Sequence, residues 1–248
     1  VKKSVKIIDS AVRLRSDAGK PDIAAWLQQM EKWGIARAVV APGDEFVAVY
    51  NEEGNRWIEE YTRQYPERIA GLAVANPWYG KKAVKLLEKA FESGGMCGFY
   101  VNPARQGFHL TEHVIDPLIE VCVRMNKPVY SHAGTPICAM AFQLAELARR
   151  FPDTRFVMGH CAWTDFWYDV IPAAEQAENI MIDVSCTTRA MVRTLIDRLG
   201  AHRVVFGSGY PQSLPENELE KIRGLNLSDN VFARLMHDNA TQLWGMAK

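Results

Sequence analysis

Apolar residues fall along the 248-residue chain in two alternating textures. Short runs rich in valine, isoleucine and other apolar residues occupy largely consecutive positions at 5–9, 36–41, 69–75, 97–101, 129–132, 155–160, 180–185 and 203–207. A strand half-exposed to water alternates polar with apolar; one covered on both faces does not, so these runs predict buried parallel strands. Between them lie segments of helical period at 21–33, 53–65, 81–93, 114–125, 139–150, 169–176, 190–199 and 216–222. The first opens with Pro21 in its first turn and closes at Gly34, the asymmetry expected of helix ends. Eight βα units without a composition break predict an α/β fold, a single (β/α)8 TIM barrel over residues 1–248 as one domain. A doubly wound open sheet is the alternative. No linker, low-complexity tract or internal repeat interrupts the pattern.

In such a barrel, chemistry sits where strands run into the loops that follow them. That rule selects Ala11 and Arg13, residues 41–44, Asn76, residues 100–102, 131–133, His160 and Cys161, residues 183–186, and residues 208–210. Two histidines stand out. His132 ends the fifth strand in "KPVYSHAG" and His160 ends the sixth in "RFVMGHCAW". A lone strand-end histidine is usually structural; two on adjacent strands at the functional rim read as acid/base, ligand or oxyanion-holding groups.

The stretches "IIDSAVRL", "KPVYSHAG", "FVMGHCAW", "VVFGSGYP" and "DNATQLWGM" stand in the order found in amidohydrolase-related TIM-barrel proteins. The chain resembles the amidohydrolase 2 group over essentially its whole length. That resemblance implies metal-dependent hydrolases, decarboxylases and hydratases acting on carboxylated rings or lactones, some of the lactonases working without metal. It also implies IDxHxH on the first strand, histidines on the fifth and sixth, and FGSDYP on the eighth.

Here the sequence departs from its relatives. Ala11 and Arg13 stand where the resemblance places two histidines, and Gly209 stands where it places an aspartate. Residues i and i+2 of a strand share a face, so positions 11 and 13 should both open on the barrel mouth. A catalytic zinc generally takes three protein ligands and water, and only His132 and His160 remain of the implied set. The expectation is a vacated metal centre and no metal cofactor, with zinc held weakly by His132 and His160 as the alternative. Arg13 then either binds a carboxylate or oxyanion or lies along the rim paired with Asp44 or Asp183. With no carboxylate at Gly209 to neutralise it, the mouth is expected to be net-positive.

Several other candidates compete. "HLTEH" (109–113) matches the inverted zincin pattern H-x-x-E-H. Thr111, however, reads as a cap for the helix entering "IDPLIEVC", which would break the i, i+4 geometry. Tyr100 and Asn102 on the fourth strand are candidate substrate contacts, Asn102 before Pro103 also reading as a turn residue. Cys186 is a candidate substrate contact, and Cys186 or Ser185 beside His160 is a candidate nucleophile–base pair, with inert packing as the simpler role. Cys161 should point away from His160. No lysine ends a strand, which argues against Schiff-base chemistry, and no P-loop, GxGxxG or GxSxG occurs. The cluster "WTDFWY" (163–168) should wall the entrance or cover the barrel top, with a homo-oligomer contact as its alternative use.

Composition narrows the partners. The charges balance at 29 basic and 29 acidic residues, so no electrostatic footprint calls for nucleic acid or an anionic membrane. No apolar run reaches the roughly 18 residues a membrane span needs. No basic-then-apolar leader follows Val1, although an upstream segment could have been trimmed. Five scattered cysteines without a CxxC pair read as reduced thiols, hence a cytoplasmic location. The leading expectation is metal-independent acid/base activity on a small carboxylated substrate, His132 and His160 doing the chemistry and Arg13 holding the anion. The alternative is a catalytically altered or inactive barrel, natural or engineered, that serves as a ligand-binding scaffold.

Overall fold

A computed structural model describes residues 5–17, 20–163 and 166–246. Eight strands form one parallel sheet in sequence order: β1 (Ile7–Arg13), β2 (Ile35–Ala41), β3 (Ile69–Val74), β4 (Met96–Val101), β5 (Val129–Ser131), β6 (Phe156–Met158), β7 (Ile180–Asp183) and β8 (Val204–Val205). Closure runs from the segment after β8 back to β1. Ser10 N–H donates to the Phe206 carbonyl at 2.9 Å, Arg13 N–H donates to the Tyr210 carbonyl at 2.9 Å, and Val12 bridges Tyr210 in parallel. The protein is a (β/α)8 barrel, not an open sheet.

The strands read as unbroken apolar runs because each face has a different cover. Ile8, Val39, Leu72, Val74, Tyr100, Tyr130, Val157, Met181 and Val205 fill the barrel interior. Their neighbours Ala38, Val40, Ala73, Phe99, Val101, Val129, Phe156, Ile180 and Val204 pack outward in the cluster shared with the helices. "DNATQLWGM" has a structural use: Trp244 joins the interior cluster and its indole N–H donates to Ser10 Oγ at 3.1 Å, while the Asn239 amide donates to the carbonyls of Ala201 and Val204.

The helices that matter for the site are α1 (Ile23–Trp33), α2 (Asp44–Ala48) and α3 (Asn51–Gln64). α1 starts two residues after Pro21, because the Asp22 carboxylate caps it by accepting from Ala25 N–H at 3.0 Å. α2, not resolved by the hydrophobic pattern, is a short helix between β2 and α3.

Several strand ends differ from the sequence expectation; β7 and β8 each stop two residues early, at Asp183 and Val205. β1 runs on to Arg13 because residues 10–14 pair on both sides, and its register with β2 slips between Asp9 and Val12. β6 stops at Met158, and His160 lies within the turn Gly159–Ala162 that follows. No described helix is long and apolar enough to cross a membrane.

Candidate functional site

Ser10, Ala11, Val12 and Arg13 of β1 border one small cavity, together with Leu72, Tyr100, Tyr130 and His160. Ala11 belongs to the interior cluster and Val12 to the outer one. The register slip after Asp9 is a bulge of the kind that re-aims side chains next to sites. The free space is about 10 Å³, room for about one water molecule.

His160 arrives by a strained route. His160, Cys161, Ala162 and Trp163 all have positive φ, at 57°, 48°, 52° and 60°. For non-glycine residues this costs roughly 1–2 kcal/mol each, so the turn must be held from outside. Asp183 Oδ2 accepts the His160 N–H at 2.9 Å, and Trp163 N–H returns to the His160 carbonyl at 2.8 Å. Gly134 lies so close that a Cβ there would sit 2.2 Å from the Ala162 carbonyl oxygen. Backbone strain of this kind collects at functional sites.

Asp183 organises this wall and is fully buried. Its Oδ2 also accepts from the Tyr130 hydroxyl at 2.7 Å and the Ser185 hydroxyl at 2.7 Å, and its Oδ1 accepts from Ser185 N–H at 2.9 Å. Because Ser185 spends its proton on Asp183, its oxygen is the acceptor for His160 Nδ1–H at 2.9 Å. That chain leaves His160 Nε2 unprotonated; it is buried without a partner, on a ring that lines the cavity. Burial, with Arg13 adding, pushes His160 down to about 3, so the ring is a neutral base.

The structure brings His132 and His160 together, ring centroids 5.2 Å apart and edge-to-face. His132 is also held neutral, by burial first and then by His160 and Arg13. Its Nε2 meets Thr135 Oγ1 at 3.1 Å while Nδ1 lacks a partner.

On the opposite wall, Ala11 contributes only a methyl group. Gly209, at φ +63°, faces Cys186, whose Sγ would stand 2.8 Å from a Cβ there. Arg13 is buried and its Nη1 donates to Asp44 Oδ1 at 2.8 Å; Arg105 Nε approaches Asp44 Oδ2 at 3.0 Å. Of the two rim acids weighed as partners for Arg13, Asp44 is the one used, because Asp183 is committed to the His160 turn. Of the two readings of Arg13, the structure shows the rim pairing, with α2, directly after β2, supplying the counter-charge. Among the described residues no group of three or more His, Cys, Asp or Glu is placed to hold a metal ion.

Other predicted residues take other places. Asn102 does not line the cavity; its Oδ1 caps the short helix Pro103–Gln106 by accepting from Arg105 N–H at 3.2 Å. Tyr100 lines the cavity with its hydroxyl buried next to Arg13 and Asn102, without a well-aligned hydrogen bond to either. Cys186 packs beside Gly209, its thiol pushed up to about 12 by burial, with Asp183 and Glu218 adding, so it is no thiolate. Ser185 is fully buried, which removes it as an accessible nucleophile. Cys161 is buried in the outer cluster. His109–His113 forms no helix: Glu112 Oε1 folds back to accept from His109 N–H at 3.0 Å. Thr111 is not a cap; Glu112 precedes the turn His113–Ile115, and the helix Asp116–Arg124 follows. Of "WTDFWY", residues 164 and 165 lie outside the described residues, while Trp167 and Tyr168 stack at 3.8 Å and are exposed.

Sequence reasoning missed Asp9. Its Oδ1 ties β1 to the segment after β8 by accepting from Ala11 N–H at 3.1 Å and Ser208 N–H at 2.9 Å. Its Oδ2 has no partner, and burial pushes the carboxyl up to about 6 against those hydrogen bonds. The available signal was an acid inside the apolar run "KIIDSAV".

Comparison with known proteins places this geometry in a family. Three solved decarboxylase structures share the fold. 5-Carboxyvanillate decarboxylase from Sphingomonas paucimobilis matches at TM-score 0.78 and 16% identity, covering 98% of this chain and 100% of that one. Dihydroxybenzoic acid decarboxylase from Polaromonas sp. JS666, solved with manganese and 2-nitroresorcinol, matches at 0.78 and 15%, covering 98% of each chain. 2,6-Dihydroxybenzoate decarboxylase from Rhizobium matches at 0.75 and 14%, covering 97% and 99%. No curated protein sequence matches. The Amidohydro_2 (amidohydrolase) family model matches residues 30–246, which is most of the chain including both histidines, so this protein belongs to the Amidohydro_2 family.

Proposed function

We propose that this barrel has a vacated metal site and acts without a metal, as a hydrolase or lyase on a small carboxylated substrate. The observation that carries the reading is His160 Nε2: buried, unpartnered and unprotonated, on a ring that lines the cavity beside Tyr100, Tyr130 and Arg13. The donors present do not fit a divalent cation. Two imidazoles are short of the usual three protein ligands, Ala11 and Gly209 offer none, and Arg13 brings a positive charge to the same cavity.

His160 is the proposed base. Its Nε2 takes a proton from a water or substrate hydroxyl, and the imidazolium formed returns that proton to the leaving oxygen or carbon. Ser185 and Asp183 fix the ring and tautomer throughout. A carboxylate arriving near Arg13 offsets the positive potential that weakens this base, raising its pKa when substrate is bound. His132, edge-on to His160, accepts from or orients a second substrate oxygen. The decarboxylase neighbours make carboxylated phenols the first substrates to try, and carboxylated lactones the second.

A second reading is a catalytically silent, ligand-binding scaffold. It draws on the Arg13–Asp44 pair and the roughly 10 Å³ of free space, which is too little for an aromatic ring without rearrangement. The test is turnover of both substrate sets by protein stripped with chelator and checked by elemental analysis. The acid/base reading expects turnover that survives stripping and falls at least a hundredfold in His160→Gln. Turnover that needs added metal overturns metal independence. No turnover of either set, with ligand binding retained, establishes the scaffold reading instead.

A further inference from the structure

The carboxylate that meets Arg13 itself identifies a ligand group. Asp44 stands between two guanidinium groups, Arg13 Nη1 on Oδ1 at 2.8 Å and Arg105 Nε on Oδ2 at 3.0 Å. Two cations on one carboxylate leave the trio with a net charge of +1. The three residues come from the segments around β1, β2 and β4, so the barrel alone assembles them.

The members are not equally fixed. Arg13 is only 8% exposed and its Nε makes no well-formed hydrogen bond; the Tyr100 hydroxyl is buried beside that guanidinium and Asn102, with no well-aligned bond to either. The Asp44 side chain is 36% exposed and stands at the start of a five-residue helix. A buried guanidinium is best met by a planar acceptor taking two of its N–H groups at once. Asp44 meets Arg13 through one contact and leaves Nε over.

We propose that Asp44 is a built-in stand-in for the carboxylate of a small-molecule ligand, which binds Arg13 and Arg105 in its place and takes up Arg13 Nε or the Tyr100 hydroxyl as Asp44 turns out. The inference rests on the proposed function for the use of the cavity, but it concerns binding and not turnover. Asp44 competes with the ligand, so the apparent affinity is the intrinsic one reduced by the fraction of protein in which Asp44 has left. Removing its charge both frees the site and raises the local charge from +1 to +2.

Benzoate is the probe, and benzamide of the same shape is its neutral control. Titration calorimetry should show Asp44→Asn binding benzoate at least tenfold more tightly than the unaltered protein, with benzamide unchanged. Adding Arg13→Gln to Asp44→Asn should cancel the gain. Unchanged or weaker benzoate binding by a folded Asp44→Asn protein overturns the proposal. Should that variant not fold, a crystal structure of the unaltered protein with benzoate decides. Asp44 turned away, with the benzoate carboxylate on Arg13, supports the proposal; benzoate elsewhere with the Arg13–Asp44 pair intact overturns it. His160→Gln separates the two readings, because it should abolish turnover yet hold benzoate affinity within threefold.

Discussion

On the β5–β7 side of the mouth, Asp183 gathers four hydrogen-bond donors and thereby fixes a strained turn, a histidine tautomer and a tyrosine. On the β1–β2 side, Arg13 is held by one bond to a half-exposed Asp44, beside a methyl group at Ala11 and bare backbone at Gly209. The first wall is over-determined and the second is loosely tied. A buried carboxylate that holds four donors is rigid and costly to remove, whereas a partly exposed ion pair is weak and exchangeable. The proposed base stands on the first wall and the proposed carboxylate site on the second.

The contrast is broken most severely at Asp183. Asp183→Ala strands the Tyr130 and Ser185 hydroxyls and two backbone N–H groups in the interior. It should lower unfolding free energy by more than about 3 kcal/mol in denaturant titrations.

Acid titration comes next. His160 is lowered from 6.5 to about 3, so between those values the unfolded chain binds a proton that the native one refuses; stability falls as pH drops through this window. Asp9 is raised from 3.8 to about 6, so its contribution has the opposite sign: stability falls as pH rises from 3.8 to 6. Unfolding free energy followed from pH 7 to 4 should therefore decline less in His160→Gln and more in Asp9→Asn than in the unaltered protein.

Restoring a carboxylate on the second wall sharpens the comparison further. Gly209→Asp must adopt a left-handed backbone and displace Cys186 Sγ, costing about 1–3 kcal/mol in thermal or denaturant unfolding. Adding Cys186→Ala should recover the steric part and leave the backbone part. Stoichiometric zinc or manganese by elemental analysis should require Ala11→His, Arg13→His and Gly209→Asp together, since a partial ligand set leaves the geometry open. The smallest effect is expected at Arg105, whose side chain is 60% exposed. Arg105→Gln should change stability by no more than about 0.5 kcal/mol.

Much of the barrel was legible in the chain. Eight apolar runs gave eight parallel strands within a few residues because burial on both faces is a local compositional demand, and Gly34 ended α1 where expected, in a left-handed cap. His132 and His160 were legible because strand ends of a barrel converge. Errors arose where a strand end depended on partners distant in sequence. β1 gained four residues from pairing with β2 and the segment after β8, and β6 lost two to the turn that Asp183 and Gly134 hold.

What the sequence by itself determined is the barrel, its order of strands, the two histidines at its mouth, and the methyl, guanidinium and hydrogen at positions 11, 13 and 209. Those follow from periodicity and residue type, which are local properties. Only the tertiary structure decided that Asp44 rather than Asp183 neutralises Arg13, that Asp183 through Ser185 sets the tautomer of His160, that Asp9 is a buried acid, and that the cavity bordered by Arg13, Tyr100, Tyr130 and His160 holds about 10 Å³. Each depends on distances between residues tens of positions apart, and hydrogen bonds and ion pairs act only at those distances. Residue type says which groups can pair, and closure of the barrel says which ones meet.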